Sequence, residues 1–210
     1  MKIYTNLEQK SDEWLRIRSG KLTASNAQAI ATGGKGLQTL CLETTAEFYS
    51  TVPKEQIENE HIQRGIELEA EARSVYEMET GNKVIEVGFV ELNEYVGCSP
   101  DGILEGQPVG IEIKCPSDRV YLDVLLNKTI DPKYYAQMQM QMMICEWTAC
   151  DYVVYNPNFE ICICIQRVYP DDEFRKKLTA GLKKGTEIIK DLHEKMREIN
   201  EHRGLQQRAS

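Results

Sequence analysis

The chain has 210 residues, 41% hydrophobic and 28% charged, the size and balance of one folded domain around one core. It has no apolar run of about 18 residues, which excludes a membrane-spanning helix, and its opening Met1-Lys2-Ile3-Tyr4-Thr5-Asn6 lacks the apolar stretch of a secretory signal. A net charge of -8 argues against a polyanionic partner until its distribution is considered.

Ser11-Asp12-Glu13 opens a helix that carries Trp14 and Ile17 and stops near Gly20. Thr23 is placed to cap a second short helix through Ile30. Thr32-Gly33-Gly34-Lys35-Gly36 is a glycine-rich loop without the spacing of a Walker motif. A third helix is predicted over about Leu37 to Tyr49, and a longer one from about His61 to Thr80, closed by Gly81. The period then changes from helical to two. Ile85, Val87 and Phe89 alternate with their neighbours as in a half-buried strand, and a second strand covers roughly Tyr95 to Cys98. After the turn-like Ser99-Pro100-Asp101-Gly102 comes a third strand, Val109 to Cys115. Pro132 introduces a helix from about Lys133 to Trp147. Strands over Cys150–Tyr155 and Phe159–Val168 follow, and Asp171-Asp172-Glu173 starts a final helix reaching about Asn200. This order predicts an α/β (α+β) fold, a single domain over 1–210 with a central mixed sheet flanked by helices. Residues 1–80 are mainly helical, 81–168 hold the sheet with one helix, and 169–210 form the C-terminal helix.

Residues 1–40 carry six Lys/Arg against three Asp/Glu and residues 161–210 carry eleven against eight, whereas 41–160 carry eight against twenty-two. The ends are therefore each +3 and the middle is -14, a pattern that suits a carboxylate metal site with phosphate-binding surfaces beside it. A solvated acidic surface is the plainer reading of the same numbers. The seven cysteines are scattered and odd in number, as expected of reduced thiols in a cytoplasmic protein. Cys162 and Cys164 alternate with isoleucines and read as small core residues, and the three histidines lack zinc spacing.

Glu112 and Lys114 lie two apart on one strand, so both side chains leave the same face, with Val109, Ile111, Ile113 and Cys115 on the other. Such a pair alone is an ordinary salt bridge. Asp101, eleven residues upstream at the Pro-Asp-Gly turn, changes the reading, because a short hairpin brings it back beside Glu112. Two carboxylates and the backbone carbonyl of Ile113 make a hard-oxygen site suited to Mg²⁺. Such a metal binds a scissile phosphate and activates water, while Lys114 orients that water and stabilises developing charge.

The run Ser99-Pro100-Asp101-Gly102, ten residues, then Glu112-Ile113-Lys114 resembles the signature of PD-(D/E)xK nucleases, and through it a restriction-endonuclease-like core. More narrowly the chain resembles the phage lambda exonuclease family (YqaJ-type viral recombinases, alkaline exonucleases). Trp14-Leu15-Arg16-Ile17-Arg18 with Leu22-Thr23-Ala24-Ser25 is similar to that family's N-terminal motif. Arg64-Gly65 through Glu69 to Ala72-Arg73 is similar to its acidic helix, and Tyr135-Ala136-Gln137-Met138-Gln139 to its glutamine helix. The resemblance implies that Asp101, Glu112 and the Ile113 carbonyl hold metal, with Glu69 serving a second ion in competition with Glu67 and Glu71. Two Mg²⁺ are implied, with Mn²⁺ able to substitute. It implies Lys114 as the catalytic lysine and Gln137 lining the site. Arg18, Ser25 and Lys35 are implied to bind a terminal 5′-phosphate, and Trp14 and Arg119 to contact DNA near the cut. Trp14 at helical spacing from Ile17 also suits a core position, and Arg18 could instead pair with Glu13 or Glu69. The Met138 and Met142 face of the glutamine helix reads as core, opposite the face of Tyr134, Gln137 and Gln141.

By the same resemblance the chain is expected to be a 5′-to-3′ exonuclease on double-stranded DNA ends, leaving a 3′ single strand for recombination. A homotrimeric ring, a single-strand annealing protein as partner, and a cytoplasmic location in a bacterial or phage-infected cell complete the expectation. A structure- or sequence-specific endonuclease on the same fold, or a non-catalytic DNA-end-binding module, are the alternatives.

Overall fold

The structure, a computed structural model, describes the backbone of residues 1–51 and 60–208 and the side chains of 1–51 and 68–202. Arg64, Gly65 and Glu67 therefore lie outside the described side chains. Among the described residues no helix is long and apolar enough to cross a membrane.

The chain begins with β1 (Lys2–Tyr4), a strand the sequence pattern does not announce. Helix α1 (Asp12–Arg18) starts where Ser11 accepts a hydrogen bond from the Trp14 N–H, with acidic residues in its first turn and basic ones in its last. The expected helix from Thr23 to Ile30 is broken into three pieces. These are β2 (Leu22–Thr23), a 3-10 turn over Ala24–Asn26, and α2 (Ala27–Thr32). Thr23 does not cap, because its hydroxyl is engaged by Ser25 and Arg18. Helices α3 (Gly34–Tyr49) and α4 (Glu60–Thr80) follow, the latter stopped at Gly81, whose φ is +70° and whose N–H reaches the Glu77 carbonyl at 2.9 Å.

The predicted strand over Ile85–Phe89 is two strands in different sheets, β3 (Val84–Ile85) and β4 (Phe89–Asn93). The break falls at Gly88, where the N-terminal segment crosses so closely that a Cβ would lie 2.0 Å from the Leu7 carbonyl oxygen. Then come β5 (Val96–Cys98), the unpredicted β6 (Gly102–Leu104) and β7 (Val109–Lys114). Helix α5 (Asp118–Asn127) stands where the sequence pattern announces no element. Helix α6 (Pro132–Cys145) is capped by Asp131 and has proline in its first turn. Strands β8 (Ala149–Tyr155) and β9 (Ile163–Val168) lead to α7 (Asp172–Arg208), longer than expected.

Two mixed sheets form in place of the one expected. One has the order β1-β4-β5-β2 and the other β3-β6-β7-β8-β9, with β7 and β8 parallel and their outer neighbours antiparallel. The five-stranded sheet is covered on both faces. Ala72 and Tyr76 of α4 pack on Ile111, Ile113 and Val153. Tyr121 and Val124 of α5 and Met138 and Met142 of α6 pack on Cys150, Tyr152 and Val154. The third large cluster joins α2, α3, α6 and α7 to the four-stranded sheet. The Glu112 face of β7 is thus buried beneath α6, and Lys114 at the strand's end is partly exposed.

Candidate active site

Pairing of β6 with β7 ends at Gly102↔Ile111, while β7 continues beside β8 to Lys114. The Ile113 N–H is therefore released on the β6 edge, and Asp101 Oδ2 accepts it at 2.7 Å. A strand residue points its N–H and C=O to the same edge, so the Ile113 carbonyl is on the Asp101 side as well. Gly102 is required at this corner, since a Cβ there would meet Val84 Cγ1 at 2.3 Å. The expected hairpin convergence holds. Lys114 Nζ sits against Glu112 Oε1 and 4.0 Å from Asp101 Oδ2.

Glu112 is fully buried, and Gln141 Nε2 of α6 donates to its second oxygen at 2.7 Å. Burial pushes the Glu112 carboxyl up to about 7, with Lys114 pulling it back down and Asp101 adding to the rise. Burial pulls the Lys114 ammonium down, but Glu112 and Asp101 outweigh it and the group stays charged. Glu69, on α4, lines the same cleft of about 990 Å³ as Ile113 and Lys114. Burial and then Asp101 raise its pKa, against Arg73, Lys10 and Lys114. Glu71 is exposed on α4, and after burial its charge raises the Tyr155 pKa.

Arg73 was not singled out in the sequence as a site residue. It bonds Glu69 Oε1 at 3.2 Å, Glu86 at 2.7 Å and the Asp101 carbonyl at 3.5 Å, tying the acidic helix to the turn that bears Asp101. Two further contributors were missed. Tyr134 places its ring 5.0 Å below Lys114 Nζ. Lys10, with a left-handed φ of 72°, lines the clefts on both sides of Glu69. Gln9 pins that segment by donating to the Val87 and Pro100 carbonyls, both at 3.0 Å. The left-handed backbone is not visible in sequence; only the run of polar residues before α1 is.

Gln137 is half-buried, one turn before Gln141 on the same face, and the direct bond to Glu112 belongs to Gln141. Gln139 instead bridges to α7, donating to the Tyr169 carbonyl and accepting from the Asp171 N–H.

Arg18 and Ser25 come together as expected. Arg18 Nη2 reaches Ser25 Oγ at 3.1 Å and Thr23 Oγ1 at 3.4 Å, and its guanidinium lies 4.5 Å from the Trp14 ring centroid. Among the described residues it has no ion pair with Glu13 or Glu69. Its pKa is lowered by burial. Trp14 occupies a core position: it is only 7% exposed, packs with Leu7 and Phe89, and its Nε1 donates to the Gly88 carbonyl and Ser99 Oγ at 3.0 Å. It links the Arg18 cluster to the turn bearing Asp101. Lys35 stands exposed in the first turn of α3, and Arg119 is exposed on α5. Neither shares a hydrogen bond or ion pair with another site residue among those described.

The profile of the YqaJ-like viral recombinase domain matches residues 13–149. The chain belongs to that family. An alkaline exonuclease from Laribacter hongkongensis is similar over 90% of this chain and 100% of its own, at 30% identity and a TM-score of 0.77, and the same enzyme in complex with dAMP matches equally. A phage-related exonuclease from Haemophilus somnus shares the fold, with a TM-score of 0.63 and 16% identity over 84% of this chain and 96% of that one. A search of curated protein sequences gives no match. This YqaJ-like chain is accordingly a nuclease of that family, with a mixed α/β fold.

The site's donors fit a hard divalent cation. Asp101, Glu112 and the Ile113 carbonyl offer only oxygen, and Glu112 is a buried carboxylate whose charge a cation would relieve. Among the described residues, no three His, Cys, Asp or Glu side chains stand together as a ready ligand group. A backbone carbonyl does not belong to such a set, and Glu69 is engaged by Arg73.

Proposed function

We propose that this nuclease is a Mg²⁺-dependent exonuclease that digests one strand of duplex DNA from its 5′ end. The observation that carries the reading is the meeting of Asp101, Glu112 and Lys114 at one strand end, linked through Trp14 to a guanidinium–hydroxyl pocket at Arg18, Thr23 and Ser25. Asp101, Glu112 and the Ile113 carbonyl would hold Mg²⁺, with Glu69 beside a second ion and Mn²⁺ as a substitute. The bound ions supply Lewis-acid charge to the phosphate and lower the pKa of the attacking water.

Lys114 does what the protein can do by itself. Its ammonium, held by Glu112 and over Tyr134, is fixed where charge builds on the phosphate. Arg18, Ser25 and Thr23 hold the terminal phosphate, which marks the end and sets which bond lies over the carboxylates. Lys10 on the cleft rim offsets the acidic lining for an incoming backbone. A relative at 30% identity is known in complex with dAMP, a deoxynucleoside monophosphate, and a mononucleotide is what stepwise hydrolysis releases.

Linear duplexes labelled at either end, digested with Mg²⁺, test the reading. Early release of 5′ label as mononucleotide with a surviving 3′ strand is expected. Loss of 3′ label first, or cutting of covalently closed DNA, overturns it. With a net charge of -8, a monomer would hold DNA weakly at physiological salt, so a closed homotrimeric ring that retains DNA by topology is part of the proposal. Light scattering should give about three times the 24.1 kDa chain mass; a monomer that still digests processively refutes the ring. The exposed 3′ strand needs a coating partner, proposed to be a single-strand annealing protein. Co-purification of such a protein from the native host supports this, and its absence counts against it.

A further inference from the structure

The two oxygens of Glu112 are held by different neighbours. Lys114 Nζ contacts Oε1, and Gln141 Nε2 donates to Oε2 at 2.7 Å. Gln141 is fully buried between Met140 and Met142, and its own Oε1 has no hydrogen-bond partner among the described residues. As core filling this is a poor choice. A methionine fills the same space without desolvating an amide oxygen, and Met138, Met140 and Met142 already do so on this helix. The amide's working contact is the one to Glu112. A primary amide also remains a neutral donor, so it fixes the rotation of a carboxylate without adding a charge that competes with a cation. The same helix carries Tyr134 against Lys114, so α6 supports both charged members of the β7 pair.

We propose, resting on the metal-centre reading above, that Gln141 is a positioning residue. Its Nε2–H clamps Glu112 Oε2 and fixes the rotation of the carboxylate, leaving Oε1, beside Lys114, as the oxygen that meets the cation. Loss of such a supporting partner weakens metal binding by about tenfold to a hundredfold.

The test uses the full chain without DNA, measuring Mn²⁺ binding by electron paramagnetic resonance for wild type, Gln141→Met and Glu112→Ala. Gln141→Met keeps the volume and removes the donor. It should bind Mn²⁺ about tenfold to a hundredfold more weakly, and need correspondingly more metal for half-maximal cleavage, with KM for DNA unchanged. Gln141→Asn, which withdraws the amide by one methylene, should weaken binding in the same direction and replaces the methionine variant if that one does not fold. A merely structural role would lower the unfolding temperature and leave Mn²⁺ affinity of the folded protein alone. Binding by both Gln141 variants within about twofold of wild type, while Glu112→Ala loses it, overturns this proposal and leaves the metal centre standing. Wild-type binding that Glu112→Ala does not reduce overturns the metal-centre reading itself.

Discussion

Arg18→Ala removes the one guanidinium that meets both Ser25 and Thr23, at 3.1 and 3.4 Å. In the free protein Arg18 has hydroxyls and an indole face for neighbours, and among the described residues no carboxylate pairs with it. Glu47 acts on the guanidinium only through its longer-range charge, so no ion pair competes with a phosphate, which a planar guanidinium meets with two parallel hydrogen bonds. A hydrogen bond to a charged group contributes about 1.5–3 kcal/mol, so the first cut on a 5′-phosphorylated end should slow by roughly one to two orders of magnitude. Loss of the contact with Trp14 costs stability as well, about 0.5–1 kcal/mol, too little to unfold the domain. The assay compares initial rates of wild type and variant on otherwise identical duplexes with 5′-phosphate or 5′-hydroxyl ends. The loss should be confined largely to the phosphorylated substrate, because the hydroxyl end leaves the pocket empty in both proteins. Ser25→Ala should move in the same direction by a smaller factor. An equal loss on both ends would refute the end-anchor role and return Arg18 to folding or general backbone contact.

Asp101→Ala, Glu112→Ala and Lys114→Ala should each abolish cleavage with folding and DNA binding retained; substantial activity in Glu112→Ala, measured with excess Mg²⁺, would refute the assignment. Gly110→Ala should destabilise the fold, because the new Cβ would lie 1.9 Å from the ring of Trp147, which is buried at only 5% exposure. A cost of about 1–3 kcal/mol or more is expected, seen as a melting temperature lower by about 2–4 °C for each kcal/mol; an unchanged melting curve would contradict the packing. The Tyr76 phenol donates to buried Asp151 at 2.6 Å and has its pKa raised above the ordinary 10 by burial and by that bond. The folded state thus keeps the proton that the unfolded chain releases, so this stabilisation is present below pH 10 and is lost as pH rises beyond it. Tyr76→Phe should flatten that alkaline decline in thermal stability, and an unaltered slope would show that other groups cause it.

The chemistry at the strand end was legible in the sequence because it rests on short-range rules. Period-two alternation puts Glu112 and Lys114 on one face, and a hairpin of about a dozen residues returns Asp101 to them. The helix limits at Ser11, Gly81 and Pro132 follow from caps and breakers. Arg18 and Ser25 lie seven apart within one local motif, and they meet. What the sequence could not show depends on contacts between distant segments. The division into two sheets is decided by residues 1–10 crossing at Gly88, a long-range packing event with no periodic signature. Arg73, Lys10 and Tyr134 join the site only because α4, the N-terminal segment and α6 converge there. Whether Gln137 or Gln141 touches Glu112 depends on how far along α6 lies over β7, a register that helix packing sets and residue spacing within α6 leaves open. Trp14 satisfied the pattern of a core residue and of a DNA contact equally, and its burial against Leu7 and Phe89 follows from long-range packing. Residue identity and local period determined which groups could perform the chemistry, and tertiary packing determined which of them stand close enough to act together.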